Sequence, residues 1–346
     1  MKVAVNMSPK ILPRTAHKTA RRMPVSAAVY AVLIALLLVA PLIIAVAGQA
    51  FYLDLITRLL IIAIAVASLN FMVGCGGMIS LGHAAYLGIG AYSVGIPAYY
   101  EIHNGFVHLG LALGCSALFA LITGAVCLRT RGLYFILITL AFAQMLYFTL
   151  VSIDEYGADD GLLIERRSDF GFLDLDSPAV LYYAVLATLL LFLFALHRMT
   201  LARFGRILFA AKHNDTRMQS IGFDTYKYRL VCYVISGAMC GVAGFLLGNF
   251  THFISPEMMD WTRSAELIFM LVIGGAGALF APVTGASAFL LLEEFLSGWT
   301  VHWHLIFGLL LIALVLFAGQ GGLHGALQRL DRRLGRGRGI ETHRPA

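Results

Sequence analysis

Long apolar runs separated by short polar segments dominate the chain. A helix needs about 20 apolar residues to cross the hydrocarbon core of a bilayer, and ten runs approach that length. They cover residues 26–48, 59–73 with a glycine-rich continuation, 81–100, 107–128, 132–152, 178–196, 230–250, 265–280, 282–295 and 304–319. The pattern predicts an all-α, polytopic transmembrane helix bundle of about ten spans.

Two glycine-rich stretches interrupt these runs. The first lies in a 42-residue segment between Arg58 and Glu101 that contains no Asp, Glu, Lys or Arg, and the second divides the apolar run 265–295. Glycine and proline in a membrane span can break a helix or let helices approach closely, so a gate and tight packing are both open interpretations. The residues concerned are Gly76, Gly77, Gly82, Gly88, Gly90, Gly274, Gly275, Gly277 and Pro282.

Basic residues gather at both ends of the chain. Residues 1–25 contain six Lys or Arg and no acid, and the tail 321–346 is also basic. The positive-inside rule places both ends in the cytoplasm, on either side of a transmembrane domain at 26–320. The same topology puts the basic loop 197–229 inside and the acidic loop 153–177 outside. A cleaved signal peptide is the alternative for the first span, but its apolar run is too long for one.

Composition excludes several classes of protein. A hydrophobic fraction of 60% and a charged fraction of 13% are typical of membrane proteins rather than soluble domains. The five cysteines lie in apolar stretches without a Cys-x-x-Cys pair, so neither a disulfide framework nor a zinc site is indicated. The net charge of +6 comes from segment ends, which indicates the lipid bilayer rather than nucleic acid as a partner. No metal and no cofactor are predicted.

The phosphate-binding motif of P-loop ATPases is missing. It reads Gly-x-x-x-x-Gly-Lys-Ser/Thr, and no glycine in this chain is followed by lysine. The chain is therefore not expected to be an enzyme that hydrolyses ATP by that mechanism. If it moves a solute uphill, the energy must come from an ion gradient or from a separate subunit.

A short helix is predicted within the loop 197–229. Asn214 or Asp215 can cap its start, Met218 and Ile221 share one face, and Gly222 can end it in a left-handed conformation. Such a short helix is marginal alone, so docking against another protein would stabilise it. The flanking cations Lys212 and Arg217 suit such a contact. The alternative is a solvated or lipid-surface helix.

Few polar side chains fall within the spans. Each can line a translocation path or bond a neighbouring helix. Asp54 and Arg58 are spaced for a helical ion pair near the outer interface. His83 has no second ligand at metal spacing, which favours a packed histidine. The candidates for the path are Asn70, Ser80, His83, Thr139 and Gln144.

Two other functional classes are alternatives for a protein with these apolar runs. An ion-coupled secondary transporter of small solutes would need ionisable residues within the membrane, and the central spans have almost none. A membrane-embedded enzyme would need a cluster of His, Asp or Glu. The nearest candidates, His302 and His304, are two residues apart and do not face one another on a helix.

Four motifs carry a resemblance to a known family. They are 76–92 (GGMISLGHAAYLGIGAY), 131–144 (RGLYFILITLAFAQ), 159–162 (DDGL) and 274–282 (GGAGALFAP). In this order they resemble the permeases of branched-chain amino-acid ABC transporters, over about residues 55 to 320. The resemblance implies a multi-pass protein of the bacterial inner membrane that carries Leu, Ile and Val or related small amino acids and amides.

The resemblance also implies partners. These are a second, related permease subunit, two cytoplasmic ABC ATPases and a periplasmic substrate-binding protein. The helix around Asn214–Gly222 would be the coupling helix that inserts into the ATPase, although Arg217 and Met218 stand where importer permeases often carry two alanines. Asp159 and Asp160 lie in a family motif within the acidic loop, which would face the binding protein.

Overall fold

The computed structural model describes residues 34–42, 44, 50–171, 175–299, 302–318 and 325. The expected cytoplasmic segment 1–25, most of the first expected span and almost all of the tail 321–346 lie outside these residues. Within them the chain is mostly helical, with twelve α-helices. The prediction of a helical, multi-pass membrane protein is confirmed at this level.

The first six helices carry the chain from its first described residue to the basic loop. α2 continues into a π-helical turn, Met72–Gly76. Their bounds are 34–42 for α1, Ala50–Phe71 for α2, His83–Tyr99 for α3, Gly105–Cys127 for α4, Leu133–Val151 for α5 and Pro178–Leu201 for α6.

The remaining six helices include two short ones in the basic loop. Their bounds are Arg203–His213 for α7, Asp215–Ser220 for α8, Thr225–Thr251 for α9, Trp261–Gly274 for α10, Ala281–Ser297 for α11 and Trp303–Ala318 for α12. Two further single turns are 3-10 helices, Asp154–Tyr156 and Pro256–Met259. Two-residue strands β1, Leu162–Leu163, and β2, Phe253–Ile254, pair antiparallel.

Five described helical segments are long and apolar enough to cross a membrane. They are Phe51–Gly76, Gly105–Cys127, Leu133–Val151, Pro178–Leu201 and Thr225–Thr251. Helices α3, α10, α11 and α12 coincide with expected spans but are shorter than these five segments, at 17, 14, 17 and 16 residues. The break expected between these two helices is present, because α10 ends at Gly274 and α11 begins at Ala281.

Helix α2 begins at Ala50, earlier than its apolar run, and therefore carries Asp54 and Arg58. The expected ion pair between these two residues is wrong. Arg58 instead lies 3.9 Å from Glu293 on α11, so the charge pairs between two helices rather than along one. Packing of α11 against α2 brings the two groups together.

Helix α9 forms the centre of the bundle, packed against α2, α3 and α4. Its contact face is built from Gly237, Gly241, Gly244 and Gly248, which share the short spacing of small residues typical of close helix contacts in membranes. A Cβ on Gly244 would overlap the carbonyl oxygen of Leu87 on α3. Glycine is therefore required there by the approach of two backbones.

Substituting Gly244 by alanine is expected to destabilise the bundle by roughly 1–3 kcal/mol, because the added methyl forces α3 and α9 apart. Unfolding of the purified protein in mixed micelles measures this change. Gly110→Ala is the matched control, since a Cβ at Gly110 meets nothing within 4 Å. Equal stability of the two variants would contradict this account of the α3–α9 contact.

The acidic loop is fastened to one end of the bundle. Leu162 pairs with Ile254 in the β1–β2 ladder. Arg167 donates from Nε to the carbonyl oxygen of Asn249 at 2.9 Å and from Nη1 to that of Leu175 at 2.7 Å. Gly105, at the start of α4, donates its amide to the carbonyl oxygen of Asp169 at 2.6 Å. The described parts of loop 153–177, the start of α4 and the end of α9 therefore lie at the same end.

Candidate functional site

The two glycine-rich breaks meet in the structure. Asn70, near the end of α2, donates from Nδ2 to the carbonyl oxygen of Ala278 and accepts at Oδ1 from the amide of Gly277, both at 2.8 Å. A Cβ on Gly74 would lie 2.9 Å from Gly277 Cα. One amide side chain therefore satisfies two backbone groups of the second break and joins it to the end of α2. This contact is called the Asn70 bridge.

Lys212 on α7 holds the other side of the first break. Its Nζ donates to the carbonyl oxygens of Val73 and Gly74 at 3.2 and 3.0 Å. These carbonyls belong to the C-terminal turn of a helix, where a positive charge is favourable. Gly77 ends the turn with a φ of 67°, and the Lys212 stem packs directly over it. Lys212, expected in the ATPase contact, thus bonds the first break through Nζ while the residue remains exposed.

The expected short helix forms as α8. Asn214, rather than Asp215, caps it, because the Asn214 side chain accepts a hydrogen bond from the Arg217 amide at 3.0 Å. Gly222 follows the helix with a φ of 96°. Ile221 is 63% exposed, and Met218 is half-buried. On the apolar face predicted for this helix, Ile221 is therefore available to a partner, whereas Met218 is partly covered.

Asp215 links three elements instead of capping α8. Arg131, in the turn between α4 and α5, donates a short hydrogen bond to Asp215 Oδ2. Arg229 of α9 places Nη2 3.4 Å from Asp215 Oδ1. The Asp215 side chain is only 9% exposed. This cluster of one carboxylate and two guanidinium groups is called the Asp215 triad.

Three of the expected path residues are occupied in packing. Ser80 accepts at Oγ from the amide of Gly82, and Thr139 donates to the carbonyl oxygen of Ile136 on its own helix. His83 is fully buried, with Nε2 2.7 Å from Ser68 Oγ. In the described part of the chain, none of the three lines the cavity of about 690 Å³ or the one of about 190 Å³, whereas Asn70 lines the first.

Gln144 reaches the opposite end of the bundle. Its Nε2 donates to Asp260 Oδ1 at 3.1 Å, and Asp260 caps α10. Partial burial alone would raise the pKa of Asp260, but hydrogen bonds from Thr262 and Gln144 bring it below its ordinary value. The carboxylate is therefore ionised at neutral pH and joins α5 to the start of α10.

The remaining glycines of the first break serve packing. A Cβ on Gly82 would overlap the carbonyl oxygen of Thr139, one on Gly88 the side chain of Met259, and one on Gly90 the carbonyl oxygen of Gly241. Gly274 is pressed in the same way against the Ala281 backbone. Tight packing accounts for these positions.

Asp159 and Asp160 lie in the turn that precedes β1, and both are exposed. The β1–β2 ladder and Arg167 hold the part of the loop that follows them. Within the described residues no three His, Cys, Asp or Glu side chains come together as a metal site would require.

The bundle, the paired glycine breaks and the α7–α8 segment define a multi-pass membrane transport protein. Residues 51–316 match the family model described as the permease component of branched-chain amino acid transport systems. The chain belongs to this family, and it is a permease component by that membership. The resemblance carried by the four sequence motifs is thereby confirmed.

Curated relatives agree with the family. The chain is 27% identical over 313 residues to the high-affinity branched-chain amino acid transport system permease protein LivM of Salmonella typhimurium, covering 84% of this chain and 74% of that protein. LivM of Escherichia coli gives the same identity and coverage. A probable branched-chain amino acid transport permease, LivH of Methanocaldococcus jannaschii, is 28% identical over 45% of this chain and 53% of its own length. No solved structure matches the chain.

Proposed function

We propose that the chain is the membrane conduit of an ATP-driven importer for Leu, Ile and Val or related small amino acids and amides. It does not hydrolyse ATP itself, and two ABC ATPase subunits supply the energy. The observation that carries the proposal is the Asp215 triad, which ties the exposed helix α8 to the α4–α5 turn and to α9. A displacement of α8 by the ATPase would be transmitted through Asp215 and Arg229 to α9, the central helix of the bundle.

The proposed topology has ten spans with both termini in the cytoplasm, a basic segment 1–25, a permease domain 26–320 and a basic tail 321–346. Two groups of features at opposite ends of the bundle support it. The glycine breaks, α8 and the Arg131 turn share one end, which carries the basic loop 197–229. Loop 153–177 and β2 share the other, which would face the periplasm of a bacterial inner membrane.

Partner surfaces follow from this orientation. The surface that would dock in a groove of the ATPase is formed by Arg217, Met218 and Ile221. Asn214 and Gly222 would shape the two ends of this helix. Asp159 and Asp160 would face a periplasmic binding protein that delivers the substrate. Helix α5 is mostly exposed and apolar, with Leu137 and Phe148 more than half exposed, which suits lipid or a second, related permease subunit.

Replacing Ile221 by aspartate is expected to lower ATP-driven uptake roughly tenfold or more, because burying an unpaired carboxylate in the ATPase groove costs several kcal/mol. Uptake of labelled leucine into proteoliposomes with the ATPases and the binding protein measures this. Ile221→Leu keeps the apolar contact and should retain uptake. Unchanged uptake in the aspartate variant would contradict the docking role of α8.

The energy source is tested by the wild-type protein. Copurification with an ATPase and uptake that requires ATP are expected. Uptake by this chain alone, driven by a proton or sodium gradient, would instead establish an ion-coupled secondary transporter. Comparing which labelled amino acids or amides the cognate binding protein retains identifies the substrate within the proposed class.

A further inference from the structure

A cavity of about 690 Å³ lies where α2, α6, α7 and the second glycine break come together. The cavity wall includes four apolar side chains, Phe71, Leu193, Leu196 and Leu279. The same wall includes three basic side chains, His197, Arg206 and Lys212. None of the described carboxylates lines the cavity. It therefore presents an apolar surface and a positively charged surface to the same occupant.

The positive charge is not neutralised within the described residues. Lys212 donates to the carbonyl oxygens of Val73 and Gly74 and makes no ion pair there. Arg206 is exposed on α7 and likewise makes no ion pair with any described carboxylate. An anionic group at this wall would add a favourable interaction without displacing an existing salt bridge.

The cavity lies where the bundle leaves the hydrocarbon layer. Helix α6 is apolar until His197 and Arg198 and ends at Leu201, and such a change from apolar to basic marks a membrane interface. Helix α7 follows at once and is amphipathic, burying Gly205 and Leu208 while its basic residues face outward. Amphipathic basic helices of this kind lie along the headgroup layer.

We propose that this cavity binds an anionic phospholipid, with the headgroup phosphate between Arg206 and Lys212 and an acyl chain along Leu193 and Leu196. Basic pockets between membrane helices on the cytoplasmic side are typical sites for anionic headgroups. Two polar residues of the break contacts, Asn70 and Lys212, also line the cavity. A bound lipid therefore steadies the Asn70 bridge and the Lys212 contact together.

Native mass spectrometry of the full chain in detergent tests the proposal. Phosphatidylglycerol and phosphatidylcholine with identical acyl chains are added in parallel, and inorganic phosphate is added in a third series. We expect phosphatidylglycerol to be retained about fivefold more tightly than phosphatidylcholine, and Arg206→Gln to remove about that factor. Arg203→Gln is the matched control, since Arg203 is exposed on the same helix but does not line the cavity.

A second variant tests the cavity itself without changing its charge. Ala210 lines the cavity from α7, and Ala210→Trp should reduce phosphatidylglycerol retention by filling the space. Equal retention of both lipids, or equal effects of the Arg206 and Arg203 variants, would overturn the proposal. Retention of inorganic phosphate with the same dependence on Arg206 would overturn it in favour of a free anion. These measurements need neither ATPase nor substrate, so they stand apart from the proposed transport function.

Discussion

Replacing Asp215 by asparagine is expected to lower ATP-driven uptake roughly tenfold or more while the ATPase continues to hydrolyse ATP. The asparagine side chain is uncharged and cannot form an ion pair with Arg131 or Arg229. Removing one partner of a buried ion pair costs roughly 3–5 kcal/mol. Arg131 is 66% exposed and Arg229 is 16% exposed, so solvent screens the first pair more than the second. The connection of α8 to α9 should therefore suffer most.

The ratio of substrate imported to ATP hydrolysed is the informative measurement, because misfolding lowers both quantities together. Asp224→Asn is the matched control on the same loop. Asp224 pairs with Lys227 at the surface, its hydrogen bonds from Lys227 hold its pKa below the ordinary value, and asparagine can still cap α9. Asp215→Glu should restore part of the ratio. Equal ratios in the two asparagine variants would show that the Asp215 triad does not transmit motion.

The main features of the fold could be predicted from apolar runs because lipid requires long, uninterrupted hydrophobic helices. Helix α9 illustrates both the success and its limit. The run 230–250 located the span, but the helix extends to Thr225–Thr251 because Asp224 caps it and its polar first turn still bonds internally. Its glycine spacing was present in the sequence and could have indicated the close α3–α9 contact.

The site could be predicted only in part. Glycine and proline indicated both breaks, because each residue type disfavours a continuous helix whatever its tertiary contacts are. Their meeting depends on Asn70, which bonds a residue 208 positions away in the chain. No local pattern specifies such a partner, and the same holds for Arg229 and Asp215. The contact of Lys212 with the first break likewise follows from how α7 packs, which periodicity alone does not determine.

Substituting Asn70 by leucine is expected to have the second large effect. Leucine has a similar shape but removes the Asn70 hydrogen bonds to the Gly277 amide and the Ala278 carbonyl, although the carbonyl keeps a hydrogen bond from the Ala281 amide. Both Asn70 hydrogen bonds are part-buried, and an intramolecular hydrogen bond contributes about 0.5–1.5 kcal/mol, so their loss should weaken the contact between the two breaks. We expect uptake per inserted protein to fall roughly tenfold or more, measured in proteoliposomes beside an unfolding assay.

Ser93→Ala provides the control for burial. Asn70 and Ser93 are both 8% exposed, but Ser93 bonds only the Ile89 carbonyl on its own helix. Asn70→Asp separates the two hydrogen bonds, because it keeps an acceptor for the Gly277 amide and loses the donor to Ala278. If the Asn70 bridge only packs the bundle, uptake should fall in proportion to the folded fraction. If the bridge is part of a gate, uptake should fall by more than the folded fraction does. Equal losses of uptake and of stability in the Asn70→Leu and Ser93→Ala variants would contradict both roles.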